Sequence, residues 1–264
     1  MDICTVGGCV GASIAMVAAI MLEEAGIVGS GYFNIPATVM IGAGTFLSTM
    51  ATFDMKHNLR TGNWFKMAVF NKAHDEGELI TTILNFAQKA RREGLLALEG
   101  DIEGIHDRFL KKGIQLVVDG VDPELIESVL DIDTANMRAR HKFGEEWFMC
   151  AGGMAPTMGI LGAIMGLTGA LSKMGGGDMM TTIHSLAIAF VASFYGVAIA
   201  NLVLIPVAGK LKFLDHEEAF VRDLIMTGVL AIQAGDNPRI VEEKLKAFFS
   251  PTTYPVKSLE EAGG

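Results

Sequence analysis

Long uncharged stretches alternate with charged ones along this chain, and the alternation is coarse. Four windows contain no Asp, Glu, Lys or Arg: residues 3–22, 25–53, 147–172 and 179–209. Crossing the hydrocarbon layer of a bilayer takes about 20 apolar residues at about 1.5 Å each. Every window reaches that length, so the pattern predicts four transmembrane helices rather than one very large buried core. The second window also holds a turn. The Gly, Ser and Asn of "GIVGSGYFN" (26–34) leave 35–53 for the span itself. The first window lacks a positive leading region, and its apolar run exceeds the usual 7–15 residues of a signal peptide, so it reads as a retained span.

Between the windows the pattern turns to amphipathic helix. Across residues 75–99, Leu79, Ile80, Ile83, Leu84, Ala87 and Ala90 recur at three- and four-residue spacing. Gly94 interrupts them, and Leu95, Leu96 and Leu98 begin a new apolar patch. "DGVDPE" (119–124) predicts a turn, with Asp122 as N-cap and Pro123 in the first helical position. "AGDNPR" (234–239) predicts another, followed by the helical "IVEEKLKAFF". No β-rich stretch occurs. The expected fold class is an all-α integral membrane protein.

Lysine and arginine set the orientation. Residues 54–146 hold thirteen of the 21, the segment from Lys210 onward holds seven, and Lys173 is the remaining one. The positive-inside rule then places 54–146 and the tail in the cytoplasm. The net charge of −9 does not oppose this, because acidic residues weigh little in that rule. Four segments follow: a transmembrane hairpin at 1–53, a cytoplasmic helical domain at 54–146, a second hairpin at 147–209 and a cytoplasmic helical tail at 210–264. Both termini are expected in the cytoplasm.

The chemistry is sparse. There is no phosphate loop, nucleophile elbow or histidine-rich metal pattern. Cys4, Cys9 and Cys150 form no Cys-x-x-Cys and read as small buried apolar residues. His184, near the outer end of the fourth window, reads as a surface histidine. Neither an enzyme nor a cofactor nor a nucleic-acid partner is expected. The missing acid is more informative. A proton or sodium path usually needs a carboxylate at membrane depth, and no window contains one. Either the chain conducts nothing or a partner helix brings the acid.

Small residues are patterned. Ala155, Gly159, Gly162, Gly166 and Gly169 form a stripe along the third window, and Ala192, Gly196 and Ala200 form another along the fourth. In lipid such stripes let helices approach closely, and contacts between subunits are expected in addition to packing within one. Pro156 frees the carbonyl of Gly152, and Pro206 that of Leu202; both can kink a helix. Thr157, Thr168 and Ser193 are hydroxyls at depth that either bond back to their own helix or line a wet path.

These stretches together resemble the MotA/PomA family of flagellar stator subunits. The resemblance lies in "NIPATVMIGAGTFLSTMATF" (34–53), "ARREGLLALE" (90–99), "GGMAPTMGILGAIMGLTGAL" (152–171), "SFYGVAIANLVLIPVAGKL" (193–211) and "GVLAIQAGDNPR" (228–239). It implies a subunit of the bacterial inner membrane, five copies of which ring two copies of a MotB-type partner carrying the essential aspartate. Ion flow would turn the ring, whose cytoplasmic domains push the rotor protein FliG. Arg91 and Glu99 match the family's rotor-contact charges, with Arg92 and Glu93 as adjacent candidates. Pro156 and Pro206 match the prolines that couple ion flow to movement, and Ser193 stands where many members carry a threonine facing the partner's aspartate. Ala163 replaces a threonine common in sodium-driven members. A sodium ion wants several oxygen ligands, so with Thr157 and Thr168 the remaining hydroxyls, protons are the expected ion rather than sodium. The alternatives are an ExbB/TolQ-like energiser of outer-membrane processes and a non-conducting membrane scaffold.

Overall fold

A computed structural model describes residues 11, 12, 14, 35–70, 76–174, 179–250 and 254–255. All of the first expected span but residues 11, 12 and 14, Cys4 and Cys9 with it, the turn at 26–34, the loop at 175–178 and the side chain of His184 lie outside the described residues. Among the described residues there are helices and no strand. In chain order they are α1 (Ile35–Thr52), α2 (Met55–Asn58), α3 (Thr61–Val69), α4 (Glu76–Glu93), a 3₁₀ segment (Leu95–Gly104), α5 (Arg108–Val118), α6 (Pro123–Met174), α7 (Met179–Ile199), a π segment (Ala200–Leu204), α8 (Ile205–Gln233) and α9 (Pro238–Lys246). Among the described residues, three stretches are long and apolar enough to cross a membrane: α1, part of Pro123–Ser172, and part of Ser185–Gln233.

The chain divides into two compact units, Met1–Lys72 with Arg140–Leu214, and Ala73–Ala139 with Asp215–Gly264. Their boundaries lie on the polar side of the uncharged windows. The reason is a cluster in the first unit, where Trp64 and Ala68 pack with Trp147, Phe148, Ala151, Val207, Ala208 and Leu211. That cluster joins α3 to the polar-side turns of α6 and α8. The indole of Trp64 lies over Gly144, where a Cβ would come within 3.1 Å of the ring and require it to shift by a few tenths of an ångström.

The second unit holds an ordinary water-excluding core. Ile80, Ile83, Leu84 and Ala87 of α4 bury the face that the sequence spacing selects, against α5 and α8. Each fully buried Ile or Leu there contributes about 1.5–3 kcal/mol. Gly113 and Gly228 let helices approach: a Cβ on Gly113 would meet Val229 at 2.8 Å, and one on Gly228 would meet Ile83 at 2.7 Å. The turns follow their local chemistry. Asp107 caps α5 by accepting from the N–H groups of Phe109 and Leu110. α6 begins at Pro123, and Asn237 caps α9, whose first residue is Pro238.

Candidate ion path and partner-contact surfaces

In the first unit the two small-residue stripes face each other. A Cβ on Gly159 would sit 3.0 Å from the Ala192 carbonyl oxygen and 3.1 Å from Cα of Ser193. One on Gly166 would meet Ala189 at 2.7 Å, and one on Gly196 would meet the Ala155 carbonyl oxygen at 2.5 Å. The stripes of α6 and α7 therefore close on one another within a single chain, with backbones in near contact. α1 joins them: Ala37 and Ile41 pack on Ala192, and Gly44 faces the thioether of Met158. Among the described residues, nothing stands within 4 Å of a Cβ on Gly169, at the far end of the stripe. What these helices turn outward is large and apolar, including Ile160, Ile164, Met165, Phe190 and Val197.

The expected ion-path residues surround this seam. Ser193 is half-buried and reaches across it, donating to the Gly159 carbonyl at 3.4 Å. Thr157 and Thr168 are exposed and bond back to their own helix, Thr157 to the Met154 carbonyl at 2.7 Å and Thr168 to that of Ile164 at 2.8 Å. Back-bonding uses each hydroxyl's proton and leaves its oxygen able to accept. Ala163 is half-buried on the same helix. The two prolines lie at adjoining levels. Pro156 sits inside the unbroken α6, and the residue whose carbonyl it frees, Gly152, packs on Leu204 and Ile205, next to Pro206.

Pro206 has a structural signature that the spacing does not announce. The turn before it, Ala200–Leu204, is π-helical, and the N–H of Ile205 reaches back five residues to the carbonyl of Ala200. Proline has no N–H for the next bond, so the ladder loosens where the donor is missing. Asn201 lies in this wide turn, exposed, with its amide donating to the Val197 carbonyl at 2.9 Å. Its own carbonyl oxygen points away from that bond as a further polar group on an apolar helix. Sequence reasoning passed over Asn201 because it weighed hydroxyls only; an amide inside an uncharged window was the available signal. Two further hydroxyl residues, Thr45 and Thr49, are buried in α1, with Thr49 donating to the Thr45 carbonyl.

The expected rotor-contact charges gather in the second unit around one turn. Arg91, Arg92 and Glu93 end α4, and Gly94 then adopts φ 89, which any other residue would enter only with strain. The chain leaves as the 3₁₀ segment carrying Glu99. All four charged residues are exposed. Arg91, Arg92 and Glu99 have no ion-pair partner among the described residues. Their neighbours do: Lys89 binds Asp101 at 2.7 Å and ties α4 to the 3₁₀ segment. The Asp101 carboxylate, by this hydrogen bond, holds the Lys89 ammonium above its ordinary pKa. The pair thus ties together the two sides of the turn on which Arg91 and Glu99 stand exposed. Among the described residues no cluster of His, Cys, Asp or Glu could hold a metal ion.

Comparison with known proteins gives the family. Residues 101–222 match the MotA/TolQ/ExbB proton channel family. The chain is 35% identical over 220 residues to Motility protein A of Borreliella burgdorferi, covering 83% of this chain and 84% of that protein. It is 36% identical over 246 residues to Motility protein A of Bacillus subtilis, covering 93% and 90%. With Chemotaxis protein PomA of Vibrio alginolyticus it shares 33% identity over 250 residues, covering 95% and 96%. Among solved structures it is similar to the flagellar MotAB stator complex from Bacillus subtilis, with TM-score 0.85, 34% identity and coverage of 93% and 95%. It is also similar to C. jejuni MotAB, with TM-score 0.91, 26% identity and coverage of 98% and 100%. The relatives named here are motility proteins, which weighs against an outer-membrane energiser. Shared sequence along nearly the whole chain, with the fold to match, places it in the MotA/TolQ/ExbB proton channel family, among its Motility protein A members.

Proposed function

We propose that this chain is the ring subunit of a bacterial flagellar stator, embedded in the inner membrane, which with a MotB-type partner passes ions and drives the rotor. The observation that carries the reading is the missing acid. The family is one of proton channels, yet none of the four uncharged windows contains a carboxylate. A proton path at membrane depth needs a titratable group, so it must be completed by an aspartate on another chain. The similar solved structures are MotAB complexes, which supports a MotB-type partner as the source.

The parts then have distinct tasks. The seam around Gly159, Gly162 and Gly196 holds α6 and α7 as one rigid pair. Ser193, Thr157, Thr168 and Asn201 supply oxygens beside the path, and the site of Ala163 lacks the hydroxyl that a sodium ion would want. Pro156, Pro206 and the π turn give the pair one place where it can bend as the partner's aspartate gains and loses a proton. Arg91 and Glu99, held unpaired by the Lys89–Asp101 tie, form and break ion pairs with FliG. Five copies around two partner chains is the expected assembly. Charge reversal at Arg91 and Glu99 tests the rotor contact. Swimming should fall while membrane insertion and partner co-purification persist; unchanged swimming in the double reversal would remove these residues from the role.

A further inference from the structure

α2 and α3 carry a surface that the stator reading does not use. From 54 to 70 the chain has three basic residues, Lys56, Arg60 and Lys66, and one acid, Asp54. All three basic side chains are exposed, and none is ion-paired among the described residues. Beside them stand large apolar residues that also face outward: Met55 at 59% exposure, Leu59 at 78%, Phe65 at 43% and Phe70 at 57%. In water this arrangement is costly, and the segment does not lack an inner side on which to bury them.

That inner side is fully occupied. Asn58 is buried and makes three hydrogen bonds. Its amide donates to the carbonyls of Met50 and Phe53, at 3.0 and 2.9 Å, and its oxygen accepts from the Trp147 indole at 2.8 Å. It thereby satisfies carbonyls left open at the end of α1. Trp64 and Ala68 fill the cluster beneath, and His57 stacks on Phe143 at 4.1 Å. The segment is therefore pinned by one face, directly after α1, with its apolar and basic residues on the other.

We infer that α2 and α3 lie in the headgroup layer of the membrane and bind anionic lipid. The inference rests on the reading of α1 as a span. Three features on the segment select this occupant: an apolar surface continuous with an uncharged helix, basic side chains among the apolar ones, and almost no acid. A helix of that composition buries its apolar residues at the acyl boundary while lysine and arginine reach the phosphates. Anionic headgroups add about a fivefold preference for each basic residue near the surface.

The test uses the full chain with its partner in lipid vesicles, with Cys4, Cys9 and Cys150 replaced by serine. A bimane fluorophore is attached at Leu59→Cys, and separately at Val39→Cys, which is exposed on α1. Each is challenged with brominated phosphatidylglycerol and brominated phosphatidylcholine. The label at 59 should be quenched by both, and severalfold more strongly by phosphatidylglycerol. Changing Lys56, Arg60 and Lys66 together to glutamine should bring that ratio towards one. Equal quenching by the two lipids in the native sequence overturns the anionic preference. No quenching at 59 while 39 is quenched overturns the inference itself, because another copy or water then covers the segment. No quenching at 39 overturns the span on which it rests.

Discussion

Single residues decide how closely the helices of the first unit approach. Gly196 and Gly169 look alike in the sequence, since both belong to small-residue stripes. Their surroundings separate them. A methyl group at 196 would press on the backbone of Ala155 at 2.5 Å and of Gly159 at 3.1 Å, and backbone cannot yield as a side chain can. Gly196→Ala should lower the thermal midpoint of the detergent-solubilised protein by several degrees. Gly169→Ala meets nothing within 4 Å among the described residues and should leave the midpoint unchanged or raise it, since alanine gains up to about 1 kcal/mol over glycine in a helix. Equal effects at both positions would show that the seam is not where the structure puts it. Asn58 offers a second test. Replacing it with leucine strands the Trp147 N–H and the Phe53 carbonyl, at a cost of about 1–3 kcal/mol for each group left unpaired and buried. The loss should appear in the same melting experiment.

At the scale of elements, the sequence shows some features plainly and conceals others for physical reasons. The helical face of α4, the break at Gly94 and the starts of α6 and α9 follow from spacing, glycine and capping residues, and those signals are local. The π turn does not follow from a periodicity, because one missing donor at Pro206 shifts only a few bonds. The same holds for the 3₁₀ segment, which the sequence marks only as a fresh apolar patch. The stripes were readable as close-packing surfaces, but not which surface each one meets. That depends on a neighbour more than twenty residues away, and the structure pairs the two stripes with each other. Pro206→Ala restores a donor for the Leu202 carbonyl, so the helix should gain stability. If the wide turn serves coupling, torque measured on tethered cells should fall although the protein is no less stable. Full torque with a higher melting temperature would reduce the π turn to a packing accident.

The whole molecule joins a soluble-style core to a set of helices with no acid of their own. The core of the second unit was legible in part, because burial from water imprints a strong period on α4. The boundary between the units was less so, since Trp64, Trp147 and Leu211 lie in segments of mixed polarity whose pairing only the fold reveals. For the coupling ion, proposed to be the proton, the ground is the alanine at 163, which offers no hydroxyl oxygen to a sodium ion. Replacing external sodium with potassium should therefore leave swimming speed intact, and arrest would point to sodium.

The central claim is that this chain turns a motor only with a carboxylate lent by a partner. The most direct measurement is rotation of tethered cells that lack their own stator and express this chain with a MotB-type partner. The account predicts rotation that ceases on adding a protonophore and is absent when the partner's membrane aspartate is changed to asparagine. Rotation that survives loss of that aspartate would contradict it, as would stationary cells in which both proteins are inserted and bound to one another.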